Sequence, residues 1–247
     1  MKENNGQETR HYQQAGVAMT CRSFEEYVSM FALQDIDRPD GMDILDVAGG
    51  ASSFAATAAR RGSKVTAVDP LYEMTLEQIA KYGAKEIEVS TAKLAELADK
   101  YRWDYYGNID NHKANRERSL QTFLHDYGAP EPRVAYIAAQ LPRLPLADDS
   151  FDLTLCSHFL FLYEAQFDYG FHAASVKELL RVTKPGGEVR LYPLVNFRTE
   201  LYAHLDALRT EMETAGAESR LEASKLPFLP NSSDVLVFRK LAKGEQV

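Results

Sequence analysis

A chain of 247 residues, 45% hydrophobic and 26% charged, with 14 Gly and 10 Pro, has the composition of a globular protein, because disordered chains carry fewer apolar residues and fibrous ones far more Gly or Pro. Its 28 basic against 36 acidic residues leave a net charge of -8, which speaks against DNA or structured RNA, partners held through many phosphate contacts. Two cysteines, Cys21 and Cys156, make neither a disulfide scaffold nor a metal site; no apolar run reaches the ~20 residues of a membrane span, and the polar start MKENNGQETR has no signal-peptide core, so a cytoplasmic location is expected.

Residues 1–20 are polar and aperiodic. Phe24, Tyr27, Val28 and Phe31 then recur at helical spacing, and Ser23 with Glu26 forms a capping box, so a helix is predicted to start near Ser23 within an N-terminal helical extension over 1–41. Ile44, Leu45 and Val47 make a short strand running into Gly49-Gly50, Phe54–Arg61 a helix stopped by Gly62, and Lys64–Val68 a second strand ending at Asp69-Pro70. Strand, glycine turn, helix and strand form a βαβ unit.

A segment of 83–133 interrupts the alternation. It carries two amphipathic stretches (Leu94, Leu97, Ala98, Tyr101, then Leu120, Phe123, Leu124, Tyr127) joined by an aromatic turn at Trp103, Tyr105 and Tyr106, and is expected to be a helical insertion serving as a lid, an oligomer surface or an extension of the core. Strands are then predicted at Val134–Ala138 and Phe151–Cys156, a helix around Val176–Val182 ending before Lys184-Pro185-Gly186-Gly187, and a strand at Glu188–Leu191. Leu201, Leu205, Leu208 and Met212 mark a further helix, and Asp234–Arg239 a last strand. The alternation implies an α/β fold with a largely parallel sheet covered on both faces, in a single domain over 1–247, with its ligand beyond the carboxyl ends of the strands.

Gly49-Gly50 after one strand and Asp69 at the end of the next suit a nucleoside-containing cofactor: glycine admits close approach and the carboxylate accepts from both ribose hydroxyls. The stretch from Ala48 to Ser53 lacks the G-x-G-x-x-G of dinucleotide sites, which disfavours NAD.

ILDVAGGASSF (Ile44–Phe54) resembles motif I of the class I S-adenosylmethionine-dependent methyltransferases. VTAVDPLYEM, LPLADDSFDLTLCSHFLFLY and ELLRVTKPGGEVRLY match three further motifs of that family in order, over about Ile44–Tyr192 apart from the insertion. The resemblance implies a Rossmann-like seven-stranded sheet in the order 3-2-1-4-5-7-6 with strand 7 antiparallel, Leu221–Leu226 and Asp234–Arg239 supplying the closing strands. It also implies S-adenosyl-L-methionine as cofactor, S-adenosyl-L-homocysteine as product, and a small-molecule acceptor whose reacting atom (O, N, S or C) stays open. A non-catalytic cofactor-binding sensor or scaffold is the alternative.

By the same resemblance Asp46 and the backbone of Ala48, Gly49 and Gly50 border the methionine part of the cofactor, and Asp69 takes the ribose. Pro70, Leu71 and Met74 lie beside the adenine, Gln140 and Leu141 near its amino group, and Ser157 with His158 where methyl meets acceptor. His158 is the candidate general base, with His172 a weaker one. Ala48 and Ser52 stand where glycine is usual, Ser52 being expected to cap the next helix, and Gln140 replaces an Asp. Arg22 and Tyr27 are candidates to cover the cofactor carboxylate, with a solvated helix end the preferred reading of Arg22, and Lys113, Arg116 and Arg118 are read as a solvated basic face.

Overall fold

Each apolar run predicted as a strand joins one sheet in the computed structural model, which describes Tyr12, Gln14, residues 16–35 and 41–242, and Gly244. Among these residues the strands are β1 (Asp43–Val47), β2 (Lys64–Val68), β3 (Ala135–Ile137), β4 (Phe151–Ser157), β5 (Thr183–Tyr192), β6 (Ala217–Ala223) and β7 (Asp234–Lys240), in the order β3-β2-β1-β4-β5-β7-β6. Neighbours are parallel except at β7, which is antiparallel to β5 and β6. This is the Rossmann-like seven-stranded order that the motifs imply.

Among the described residues six α-helices accompany the sheet: α1 (Phe24–Met30), α2 (Phe54–Arg60), α3 (Leu76–Glu96), α4 (Ile109–Tyr127), α5 (Tyr169–Val182) and α6 (Leu205–Thr214). Alternate strand residues feed opposite layers, as the two-residue period of a strand requires. Leu45, Val47, Val189, Leu236 and Phe238 pack with α5 and α6, whereas Ile44, Leu153, Leu155, Val235 and Val237 pack with α1 and α2. No described helix is long and apolar enough to cross a membrane.

The Ser23–Glu26 capping box is present at the start of α1. Tyr27 and Phe31 are fully buried, and Tyr27 stacks on Phe54 of α2 at 4.4 Å; side chains of this size contribute about 1.5–3 kcal/mol each when buried, enough to pin α1 to the domain. The parts of the N-terminal extension at 1–11, 13, 15 and 36–40 lie outside the described residues.

Several boundaries differ from the sequence reading. The helical connection starts at Leu76, capped by Thr75, and Gly83 sits inside α3, where a Cβ would come within 2.8 Å of Leu120. Gly83 therefore marks close packing of α3 on α4 and not an edge of the insertion. Leu97, Ala98 and Tyr101 fall after α3, in a 3-10 turn and beyond it. The Lys184-Pro185-Gly186-Gly187 run lies within β5 as an irregularity, where Phe151 pairs with Thr183 and Leu153 with Glu188. Leu201 is 57% exposed and precedes α6, while the edge strand β6 ends at Ala223 and not Leu226. Phe161–Tyr163 form a 3-10 turn, so the alternation of Phe159, Phe161 and Tyr163 is not that of a strand.

Candidate functional site

Parallel pairing brings the carboxyl ends of β3, β2, β1 and β4 side by side, with Val47 level with Val68 on one flank and with Cys156 on the other. Apart from His172, which lies in α5, the residues singled out for the cofactor or the methyl-transfer step therefore lie along one edge: Asp46 near the end of β1 and the Ala48–Gly50 turn after it, Asp69–Met74 after β2, Gln140–Leu141 after β3 and Ser157–His158 at the end of β4. The backbone N–H of Asp69 donates to Ile137 O at 3.3 Å, which joins the β2 and β3 ends directly.

The glycine turn is built by a short chain of bonds. Ala48 has φ +56, the left-handed conformation that glycine supplies in the usual motif, and its N–H donates to Val68 O at 2.9 Å. An L-residue there costs roughly 1–2 kcal/mol, tolerable because the β1–β2 ladder fixes the turn on either side. Gly50, also at φ +56, donates its N–H to Asp69 Oδ2 at 3.0 Å, while Asp69 Oδ1 accepts from Leu71 N–H at 2.9 Å. The Tyr72 hydroxyl donates to Gly50 O at 2.9 Å. Over Gly49 a Cβ would lie 3.0 Å from both Asp46 Oδ2 and the Tyr72 hydroxyl. Glycine thus keeps open a slot walled by a carboxylate and a phenol.

Asp46 is 1% and Asp69 8% exposed. Tyr27 donates its hydroxyl to Asp46 Oδ1 at 3.1 Å, yet neither carboxylate has an ion-pair partner among the described residues. Burial, partly offset by the Tyr27 bond and reinforced by Asp69, pushes the Asp46 carboxyl up to about 8. Burial raises Asp69 as well, against the two backbone N–H groups it accepts. Two uncompensated buried carboxylates beside a glycine slot fit a ligand that brings a cation and a pair of hydroxyls, and S-adenosylmethionine, with its ammonium, sulfonium and ribose, meets that donor set.

The turn after β2, where the adenine was expected, is lined by more than the residues foreseen. Met74 and Leu71 join a cluster with Tyr72, Phe123, Tyr127 and Tyr136, whose rings lie 5.0–6.1 Å apart. Tyr127 of α4 donates to Tyr72 O and Met74 O, tying the inserted helix to the β2 turn. Pro70 and Gln140 are exposed, and Leu141 is buried.

A segment just before α1 crosses the glycine turn, with Ala51 N–H donating to Thr20 O and Ser53 N–H to Arg22 O. Ser52 does not cap α2: that position belongs to Ser53, and the Ser52 hydroxyl accepts from Arg22 N–H at 3.2 Å. Ser119 of α4 bridges the same place, donating to Arg22 O at 2.7 Å and accepting from Ser53 N–H at 3.0 Å.

Arg22 and Arg116 are not solvated. They are 9% and 6% exposed and converge on Glu26, which is fully buried. Arg116 reaches both Glu26 oxygens at 2.5 Å, and Tyr106 and Asn115 also donate to that carboxylate. Burial alone raises the Glu26 carboxyl, but Arg116 and Arg22 outweigh it and hold it at about 2. Lys113 alone of the basic trio pairs at the surface, with Glu88 and Glu117, while Arg118 is exposed. A heptad-like count from Arg116 to Leu120 and Phe123 was the available sign that Arg116 shares the buried face of α4.

His158 has φ +51, its Nδ1 sits 2.9 Å from the Ser157 hydroxyl and its backbone N–H donates to Tyr192 O at 2.7 Å. Burial first, then Arg22 and Arg116, depress its imidazolium well below the ordinary histidine range. His172 is structural: its Nε2 donates to Leu160 O at 3.1 Å and its Nδ1 accepts from the Tyr202 hydroxyl at 2.8 Å. Beside His158 lies a cavity of about 110 Å³ between the pre-α1 segment, α3, α4 and the turns after β4 and β5; its lining reaches neither Asp46 nor Asp69.

Residues 90–191 match the methyltransferase domain family, a span that begins inside α3 and leaves out the glycine turn. The chain is 32% identical over 220 residues to the uncharacterized protein MJ0045 of Methanocaldococcus jannaschii, covering 89% of this chain and 94% of that protein. Among solved structures it is similar to a TehB-like SAM-dependent methyltransferase of Corynebacterium glutamicum, at 15% identity and TM-score 0.47 over 86% of this chain and 87% of the other. It is similar also to the magnesium protoporphyrin IX methyltransferase of Synechocystis, solved with bound SAM, at 13% identity and TM-score 0.48 over 88% and 77%.

Proposed function

We propose that this chain is a class I S-adenosylmethionine-dependent methyltransferase, in keeping with its match to the methyltransferase domain family over residues 90–191, and that it transfers the methyl group to a small-molecule nucleophile by in-line displacement, at the edge formed by the ends of β1, β2 and β4. When bound, S-adenosylmethionine supplies a methyl group already activated on a sulfonium sulfur, so the protein contributes chiefly alignment. The observation carrying this assignment is the pair of buried, uncompensated carboxylates, Asp46 and Asp69, flanking the slot over Gly49.

In this reading Asp46 faces the ammonium group and Asp69 the ribose hydroxyls, while Tyr72, Met74 and the α4 aromatics shield the base from water. Leu71, Pro70, Gln140 and Leu141 border the same end. His158, held neutral, can accept a proton from a hydroxyl acceptor as the oxygen–carbon bond forms, with Ser157 orienting the ring through Nδ1. An amine or thiol acceptor needs no such base. Ala48 keeps the left-handed turn of the usual glycine, which supports catalysis over a non-catalytic sensor. Net charge of -8 and a cavity of only about 110 Å³ at His158 favour a small acceptor over nucleic acid. In this reading α3 and α4 serve as a cover over the site, and no oligomer contact is needed to complete it.

Two measurements test the assignment. Calorimetry with S-adenosylmethionine on Asp69→Ala is expected to show at least a hundredfold weaker binding, with circular dichroism checking that the domain is folded; parent-like affinity would place the cofactor elsewhere. Transfer of labelled methyl from S-adenosylmethionine into a fractionated cell extract is expected to mark a small-molecule fraction, and label confined to RNA or protein refutes the acceptor class.

A further inference from the structure

The cavity beside His158 has two aromatic walls and one charged corner. On one side Tyr12 stacks on Phe197 at 5.4 Å, with Tyr163 edge-on to Phe197 at 5.1 Å. On the other, Phe228 stacks on Tyr101 at 4.9 Å and on His112 at 5.6 Å. Flat walls of this kind select planar ligands, because ring faces and edges pack best against rings.

The corner consists of Arg22, Arg116 and His112, all on the lining. Glu26 answers only one of the two guanidiniums, so one positive charge is left over in a buried cluster. Two donors there also lack partners. Among the described residues Arg22 Nε has none, and neither has His112 Nδ1. The histidine tautomer follows from its neighbour: Arg116 Nη2 lies 3.1 Å from His112 Nε2, a guanidinium can only donate, and Nε2 must therefore accept, which puts the ring hydrogen on Nδ1. Leaving such groups unpaired is costly unless a ligand completes them. Glu26 lies behind the lining, and Glu86, a carboxylate on it, is countered by Lys93 and Lys85.

We propose that this cavity seats the methyl acceptor and that the acceptor is a planar carboxylate, its ring held between the Tyr12–Phe197 and Tyr101–Phe228 walls and its carboxylate paired with the Arg22 guanidinium and the His112 N–H. A single surplus charge matches a monoanionic carboxylate, whereas a phosphate dianion asks for more cations than the corner holds. His158, on the same lining, then stands where the nucleophilic atom of the acceptor comes within reach of the methyl group. This assignment rests on the methyltransferase reading of the site. The carboxylate of the cofactor's own methionine part has the same chemistry, but the lining excludes Asp46 and Asp69, beside which the cofactor is assigned.

The test titrates the full-length protein, with and without saturating S-adenosylhomocysteine, with two matched pairs: indole-3-acetate against indole-3-acetamide, and 4-hydroxybenzoate against 4-hydroxybenzamide. At least one carboxylate is expected to bind ten times more tightly than its amide. Arg22→Gln should reduce that preference below threefold, Arg22→Lys should retain most of it, and His112→Phe should lower it in part, with melting curves confirming that each variant is folded. Equal binding of acid and amide in both pairs, or a preference that survives Arg22→Gln, overturns the proposal. So does an Arg22→Gln protein that loses S-adenosylhomocysteine affinity tenfold while binding 5′-methylthioadenosine, which has no amino-acid part, like the parent; the arginine would then serve the cofactor's carboxylate. Failure of the parent to bind S-adenosylhomocysteine at all refutes the methyltransferase site instead, and is told apart because the probes are also titrated without it.

Discussion

Asp46 is held in the fold at a cost that its ligand is expected to relieve. Its carboxyl rises from 3.8 to about 8, mainly through burial. At about 1.36 kcal/mol per tenfold change in proton affinity, that rise sets a ceiling on the order of 5 kcal/mol on the pH-dependent penalty of keeping the group in the folded protein. The sign follows from proton counts. Between about pH 4 and pH 8 the unfolded chain has released this proton and the folded chain retains it, so folding takes up a proton and stability falls as pH rises. Below pH 4 both states are protonated and the penalty vanishes; above about 8 it is constant. Asp46→Asn keeps an oxygen for the Tyr27 hydroxyl and has no proton to lose. Thermal melts of the ligand-free protein from pH 5 to 9 should therefore show Asp46→Asn gaining on the parent as pH rises, by several degrees at pH 8, since about 1 kcal/mol is worth 2–4 °C in a chain of this size. The same variant should bind S-adenosylhomocysteine at least tenfold more weakly, because the ammonium loses its counter-charge. In the parent, affinity should increase from pH 6 to 8, with proton release visible as a buffer-dependent heat. A stability difference that does not change with pH, or falls as pH rises, would refute the uncompensated-carboxylate account.

Glu26→Gln removes the single anion between Arg116 and Arg22 and is expected to destabilise by roughly 3–5 kcal/mol, read as a melting-temperature drop near 10 °C; in the parent the Glu26 contribution is present above about pH 4.5 and lost as pH falls towards about 2, so the difference between the two proteins should narrow in acid. Gly50→Ala places a Cβ 2.7 Å from Thr20 O at φ +56, so the pre-α1 segment must lift; a lower melting temperature with weaker cofactor binding is expected, and an unchanged protein would show that the segment is not seated there. Cys21 and Cys156 are 2% exposed, and burial pushes both thiols up to about 12, so neither should react with a thiol reagent at pH 8 until the protein unfolds.

Much of the site was legible because local rules write it. Strand patterning fixes where β1, β2 and β4 end, and a glycine turn followed by a strand-terminal acid places Asp46, Gly50 and Asp69 at those ends. The capping box named the start of α1 for the same reason, since all its partners lie within four residues. Boundaries failed where tertiary packing outweighed local signals: Gly83 reads as a breaker but is needed for α3 to approach Leu120, and Leu201 fits a helical spacing that the turn before α6 does not use.

Sequence alone placed the strands, their carboxyl edge and the glycine turn, because these depend on periodicity and on contacts near in the chain, while the order of the strands followed from the family resemblance. The charged and aromatic cavity was decided only by the tertiary structure. Arg116 stands 90 or more residues from Arg22 and Glu26 in the cluster, as Phe197 does from Tyr12, and nothing in the local spacing of a charge tells whether it meets water or a buried partner. The negative charge of the whole chain thus gave no sign that the cavity beside His158 carries a positive corner.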